Sequence, residues 1–135
     1  MNIIATTVSL TVDDVAASSA FFTTHLGFRE VMADQVFACL ARDDAASDVV
    51  LLRRGSEVLP GKQRYERPAG LIVAFTVTGL DTEYRRLRRE GANITMPMRE
   101  EPWGERLFQL TDPNGVVVQL VEWTAPAGAE SRPTR

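Results

Sequence analysis

The sequence is poor in cysteine, histidine and lysine, with one of each, and it contains no long apolar run. Cys39 has no partner for an internal disulfide, which is typical of a reducing compartment, and we expect a cytoplasmic protein. No stretch approaches the ~20 apolar residues that a membrane-spanning helix needs, and the first residues lack the basic segment of a signal peptide. The net charge of −3 provides no basic surface. We therefore expect neither a membrane nor a nucleic-acid partner.

Length and composition indicate an ordinary globular protein. The chain has 135 residues, of which 44% are hydrophobic and 24% are charged. These values exclude a mostly disordered or collagen-like chain. A chain of this length buries enough surface to fold without disulfides. We expect one compact domain, or two small halves that share a core.

A weak internal repeat predicts the architecture. Residues 8–31 and 73–94 each contain an alternating strand, a turn, a helix, a glycine and the start of a second strand. Further strand patterns follow in each half, so that each half is a βαβββ module and the fold is α+β. We predict a first module at 1–54 and a second module at 71–124. The polar connection between them, at 55–70, is either a linker or a functional lid, and a disordered tail follows at 125–135.

Both predicted helices have recognisable ends. Asp13 or Asp14 can cap the first helix, and Gly27 suits the left-handed position just after it. Asp81 can cap the second helix, and Gly91 can end it. Each helix should therefore run for about three turns.

The run D-P-N-G at 112–115 predicts a tight turn. Pro113 presets φ for the second turn position, and the Asn-Gly pair that follows tolerates positive φ. The turn should join the strands at 107–111 and 116–123 as a hairpin.

Alternation along the strands gives each predicted sheet one apolar face, which should carry the helix. The other face is small and mixed, with threonines, a serine and glutamines. This second face either meets solvent or lines a curved pocket. Val117, Val121 and Trp123 favour the pocket, because a solvated face does not need them.

Two segments resemble the glyoxalase/bleomycin resistance protein/extradiol dioxygenase superfamily, which has the vicinal oxygen chelate fold. They are SLTVDDVAASSAFFTTHLGF and PWGERLFQLTDPNGVVVQLVEW, and the resemblance extends over residues 6–123. It implies paired βαβββ modules whose curved mixed sheets enclose a cavity. It also implies a homodimer.

The resemblance implies a divalent metal in the enzymes of this superfamily, and we compared the matching positions. The first-strand positions carry Thr7 and Ile72, the last-strand position of the second module carries Gln119, and its counterpart near 50–51 carries no ligand. One uncharged amide does not hold a transition metal. The sole histidine, His25, lies near a helix end, where it complements the helix dipole. We therefore predict no metal, no cofactor and no catalytic residue.

The missing ligands make the chain similar to the drug-binding resistance branch of the superfamily. The resemblance then implies metal-independent binding and sequestration of an aromatic or polycyclic, antibiotic-like small molecule. The alternative is a metal-dependent or metal-free lyase, isomerase or dioxygenase of the same fold. A regulatory subunit without a small ligand is a third alternative.

Eight residues are the predicted ligand contacts: Trp103, Trp123, Gln119, Ser9, Thr7, Phe37, Met96 and Met98. The tryptophans offer flat platforms for a planar ligand, the polar residues offer hydrogen bonds, and the methionines adapt to irregular shapes. Each also has a structural alternative. Trp103 can anchor its loop, Trp123 can pack against the tail or a partner chain, and Phe37 and the methionines can fill the core. The polar residues can bond to each other or to water.

Arg106 could pair with an acidic ligand group, or with Glu105 or Glu122. The structural pairing is the favoured interpretation.

Overall fold

The computed structural model describes residues 1–124, and the predicted disordered tail at 125–135 lies outside the described residues. The chain forms two βαβββ modules, with one additional helical turn in the connection between them. The elements are β1 (Thr7–Val12), α1 (Val15–Leu26), β2 (Arg29–Ala33), β3 (Phe37–Ala41), β4 (Asp48–Arg53), α2 (Gly61–Arg64), β5 (Ile72–Thr76), α3 (Leu80–Arg89), β6 (Ile94–Glu100), β7 (Glu105–Thr111) and β8 (Val117–Trp123).

The strands form two four-stranded mixed sheets, ordered β1-β4-β3-β2 and β5-β8-β7-β6. In each sheet the first strand of the module pairs in parallel with the last, and the other pairs are antiparallel. This confirms the predicted α+β fold. The cavity that the curved sheets are expected to enclose stays a prediction.

The chain divides into two compact units. The first contains residues 1–71 and the turn at 112–116, and the second contains residues 72–111 and those from 117 onward. The predicted division at 1–54, 55–70 and 71–124 stays a prediction. No helix within residues 1–124 is long and apolar enough to cross a membrane.

In the first unit, α1 packs on one face of its sheet. Phe22 is fully buried and meets Phe28 edge to face, with ring centroids 5.4 Å apart. Asp14 caps the helix, since its Oδ1 accepts from the Ala17 N–H at 3.1 Å. Gly27 ends it at φ 70°, where an added Cβ would lie 2.7 Å from Arg42 Nη1. The predicted ends of α1 are therefore confirmed.

In the second unit, α3 packs on β7 and β8 through its buried Leu80 and Leu87. The prediction that Asp81 caps this helix is wrong. The helix begins two residues earlier than an Asp81 cap requires, at Leu80 after Gly79, and the carboxylate of Glu122 accepts from the N–H groups of Gly79 at 2.9 Å and Leu80 at 3.2 Å. A side chain on β8 thus satisfies backbone donors that a local cap would otherwise satisfy.

The polar connection at 55–70 is closed on itself and bonded to the start of the first unit. Within it, the Gly55 N–H donates to the carbonyl of Arg64 at 2.7 Å, and Arg67 Nε donates from it to Asp13 at 3.0 Å. Tyr65 stays exposed on this segment.

Candidate functional site

Each sheet has a second face, opposite to the one that carries its helix, and we call it the free face. On the first sheet, Leu10, Ala38, Leu40, Val49 and Leu51 are buried on the helix side. Because side chains alternate, the free face carries the residues between them. One row across the strands, given by the pairing register, is Ser9, Val50, Cys39 and Met32.

Three predicted contacts lie on the free face of the first sheet. Thr7 and Ser9 on β1 are exposed, and Phe37 on β3 is half-buried. The sequence left the orientation of Phe37 open, and its pairing with Leu52 places it on the free face. The site role of these three residues stays a prediction.

On the second sheet, one row across all four strands consists of Ala74, Gln119, Gln109 and Met96. Gln109 and Gln119 are directly opposite each other, and Gln109 Nε2 donates to Gln119 Oε1 at 2.9 Å. Both side chains are half-buried. Gln119 therefore has a side-chain partner that was not among the predicted contacts. The D-P-N-G turn carries the signal for it, since a hairpin closed there pairs 109 with 119.

The two tryptophans are both neighbours of Glu105, one through a side-chain hydrogen bond and the other through strand pairing. Trp123 is half-buried at the end of β8, directly opposite Glu105. Trp103 lies in the loop before β7, its Nε1 donates to Glu105 Oε1 at 2.9 Å, and its side chain is 59% exposed. The hydrogen bond fixes the indole of Trp103 beside the end of the free face while leaving most of its ring accessible.

The two predicted methionines lie on an irregular strand. Met96 pairs with Gln109, and the register of β6 shifts on both sides of Met96. Met98 follows Pro97 within the register shift between Met96 and Arg99. Both methionines are half-buried. Met96 thus lies on the same row as the glutamines.

The residues at the metal-ligand positions do not fit a divalent metal. In the first sheet Val50 pairs with Ser9, and in the second sheet Gln119 pairs with Ala74. Because Ser9 and Ala74 occupy equivalent positions on the first strands of their modules, Val50 is the counterpart of Gln119. With Thr7 and Ile72 at the other positions, the set offers one amide oxygen and one hydroxyl, and no imidazole or carboxylate. Within residues 1–124, no three His, Cys, Asp or Glu side chains are grouped so that they could hold a metal ion.

Arg106 pairs within the protein, with a different partner from those predicted. Its Nη2 lies 2.7 Å from Asp81 Oδ1, and its Nε lies 3.6 Å from Glu100. The hydrogen bond from Arg106 lowers the pKa of Asp81. The favoured structural interpretation of Arg106 agrees with this geometry, while Glu122 serves as the cap of α3.

An open groove of about 750 Å³ lies on the helix side of the first unit, beside the start of α1. It contains none of the eight predicted contacts. Its carboxylates are already engaged: Glu30 accepts from Ser19 at 2.5 Å, Asp34 accepts from two backbone N–H groups, and Asp13 pairs with Arg54 at 2.6 Å. A side-chain hydrogen bond, a turn and an ion pair therefore account for these three carboxylates.

A family model described as the glyoxalase/bleomycin resistance protein/dioxygenase superfamily matches residues 4–120. No curated protein matches the chain significantly. Among solved structures, a glyoxalase/bleomycin resistance protein/dioxygenase from Nocardioides superposes with a TM-score of 0.74 at 24% identity, covering 99% of this chain and 91% of that one.

Two other similar structures are those of proteins with different names. TioX from Micromonospora sp. ML1 has a TM-score of 0.68 at 21% identity and covers 90% of this chain and 100% of that one. Lactoylglutathione lyase from Agrobacterium tumefaciens has a TM-score of 0.67 at 16% identity. The match covers 90% of this chain and 94% of that one. At such identities the likeness shows the fold.

Proposed function

The chain belongs to the glyoxalase/bleomycin resistance protein/dioxygenase superfamily, and from this premise we propose that it binds an aromatic or polycyclic, antibiotic-like small molecule without a metal and holds it unchanged. Sequestration of this kind lowers the concentration of free ligand by mass action, so that affinity rather than turnover determines its effect. The protein would act in the cytoplasm, as a homodimer.

One observation carries the proposal: the positions where superfamily enzymes hold a metal are occupied by Thr7, Ile72, Val50 and Gln119. One threonine hydroxyl among hydrocarbon side chains, with no imidazole, thiolate or carboxylate, is too weak a set to hold a transition metal. The only amide oxygen in the set, on Gln119, already accepts a hydrogen bond from Gln109. The nearby carboxylates are engaged as well, since Glu122 caps α3 and Glu105 accepts from Trp103.

The free face of the second sheet has the chemistry of a surface for flat ligands. The apolar side chains of Val121 and Leu107 are buried on this face, and Met96 lies beside the glutamine pair. Trp103 and Trp123 add indole rings, which bind planar molecules at a low cost in conformational entropy. Apolar walls with a few fixed polar groups are typical of small-molecule sites.

The test is a calorimetric titration of the purified protein with a panel of DNA-damaging antibiotics, combined with elemental analysis of the same sample. We expect stoichiometric binding of at least one compound, recovery of that compound unchanged, and no stoichiometric transition metal. Failure of every compound to bind, together with turnover of a small metabolite, would overturn the proposal. A stoichiometric metal in a sample that turns over a small metabolite would favour a lyase, isomerase or dioxygenase instead.

A further inference from the structure

The hydrogen bond between Gln109 and Gln119 leaves a defined set of unused polar atoms. A glutamine amide has two N–H donors and one carbonyl acceptor. Gln109 Nε2 donates to Gln119 Oε1, so Gln119 keeps its NH₂ group and Gln109 keeps its carbonyl oxygen. Among residues 1–124, neither side chain has another hydrogen-bond partner. If both amides rotate by half a turn, the pair still presents one NH₂ group and one carbonyl.

The position of the pair makes these atoms accessible to a ligand. Gln119 is flanked by Ala74, whose side chain is too short to cover it, and Gln109 is flanked by Met96. Both glutamines are half-buried, so a ligand that removes their water has to replace the hydrogen bonds that the water made. Unpaired polar groups at a binding surface discriminate strongly against ligands that cannot satisfy them.

The charge around the pair also restricts the ligand. Glutamine is neutral at all pH values, and the charged residues on this face are already paired: Glu105 accepts from Trp103, and Arg99 lies 2.7 Å from Glu101. A carboxylate group would face the Gln109 carbonyl without a donor, and an ammonium group would face the Gln119 NH₂ without an acceptor. A neutral group with an adjacent donor and acceptor satisfies both glutamines.

We propose that the Gln109–Gln119 pair recognises an amide, lactam or ureido group of the ligand, an inference that rests on the proposed function because it assigns the ligand to the same face. The ligand's N–H donates to Gln109 Oε1, and its carbonyl accepts from Gln119 Nε2. The two amides are oriented before the ligand arrives, which reduces the entropy lost on binding. The aromatic part of the ligand then lies against the apolar side chains beside the pair.

The experiment uses two planar probes, quinolin-2(1H)-one and its N-methyl derivative, which lacks only the lactam N–H. Each is titrated into the isotopically labelled protein, and shifts of the backbone amide resonances of β7 and β8 give both the location and the Kd. We expect the lactam to bind about tenfold more tightly than its N-methyl derivative. In the variant Gln109→Leu/Gln119→Leu, which keeps a similar side-chain volume, the two probes should bind equally.

The outcomes separate this inference from the proposed function. If the lactam and its N-methyl derivative bind the wild-type protein at this face with equal Kd values, the inference is overturned. This comparison needs no variant. A lactam preference that survives in Gln109→Leu/Gln119→Leu also overturns it, since the methyl group would then act by its size. If neither probe shifts β7 and β8 while an antibiotic binds elsewhere, the inference fails alone. If the antibiotic panel fails as well and the protein turns over a small metabolite, the proposed function fails with it.

Discussion

The side-chain amide of Asn114 bonds to both backbone polar groups of Asp14, as a neighbouring strand would. Its Nδ2 donates to the Asp14 carbonyl at 2.7 Å, and its Oδ1 accepts from the Asp14 N–H at 3.0 Å. Asp14 caps α1, and Asn114 Nδ2 also donates to Ser18 Oγ at 2.6 Å. The buried Ser18 hydroxyl in turn donates to Asp112. The D-P-N-G turn is thereby attached to the first turn of α1.

Replacing Asn114 should destabilise the protein more than its half-exposed position indicates. Asn114→Ala removes both bonds to Asp14 and leaves Ser18 with one fewer partner, so the free energy of unfolding should fall by about 1–3 kcal/mol. Urea denaturation followed by circular dichroism measures the change. Asn93→Ala is the control, because the exposed side chain of Asn93 has no partner among residues 1–124. Equal losses in the two variants would contradict the role of Asn114.

Glu122 should stabilise α3 although it lies on β8. Glu122→Ala leaves the N–H groups of Gly79 and Leu80 without their acceptor, and we expect a loss of about 1 kcal/mol in the free energy of unfolding. Glu122→Gln should lose less, because one side-chain oxygen remains. Chemical denaturation gives both values. Glu57→Ala, at an exposed carboxylate with no partner within residues 1–124, should change little. A Glu122→Ala variant as stable as the wild type would show that water replaces the cap.

Asp44 should make stability depend on acid pH. The hydrogen bond from Arg42 lowers the pKa of Asp44 from 3.8 to about 2. Because this folded value is below the unfolded one, Asp44 contributes stability that is fully present above pH 3.8 and is lost as the pH falls through about 2. Unfolding free energy measured against pH should decline more steeply below pH 3.8 in the wild type than in Asp44→Asn. Asp48→Asn, a charge-matched control, should keep the wild-type slope. Parallel curves for the wild type and Asp44→Asn would refute this linkage.

Trp103 should contribute to ligand affinity by stacking. Trp103→Ala is expected to weaken binding of an aromatic ligand by about 1–3 kcal/mol, the range found for aromatic platforms. Isothermal titration calorimetry measures it. Tyr65→Ala is a matched control, since Tyr65 is 60% exposed and Trp103 is 59% exposed, but Tyr65 lies in the connection between the modules. Affinity that is unchanged in Trp103→Ala would remove this residue from the site.

The core of the first unit should depend strongly on Phe22. This side chain belongs to α1, is fully buried, and contacts Phe21 and Phe28 edge to face. Phe22→Ala creates a cavity, and we expect the free energy of unfolding to fall by about 3–5 kcal/mol. Thermal or chemical unfolding measures this change. Val31→Ala, at a side chain that is 58% exposed on β2, should cost far less. Comparable losses at the two positions would mean that the packing around Phe22 relaxes to fill the space.

Local signals predicted much of the fold. Asp14, Gly27 and the D-P-N-G turn define element ends through bonds to their own neighbours, and such bonds are visible in a sequence. Strand alternation correctly assigned Gln119 and Val121 to the face opposite the helix, because the hairpin turn fixes the register.

The predictions that failed or stayed open depend on distant residues. Asp81 was expected to cap α3, but the capping carboxylate of Glu122 lies 43 residues from Gly79 along the chain. The orientation of Phe37 stayed open because all five residues of β3 are apolar and give no alternation, and the register shift between Glu30 and Met32 breaks the count from β2. The bond between Gln109 and Gln119 needs the distance across two strands, which a sequence does not contain.

The parallel pairing of β1 with β4 has a consequence for synthesis on the ribosome. Thr7 pairs with Asp48 and Val12 with Arg53, so β1 has no sheet partner until the whole first module has emerged. The antiparallel pair β2–β3 needs only a short loop and can form before β4 has emerged. During this delay the apolar side of β1, with Leu10 and Val12, is uncovered. A nascent chain stalled before residue 48 is therefore the species most exposed to association with its neighbours.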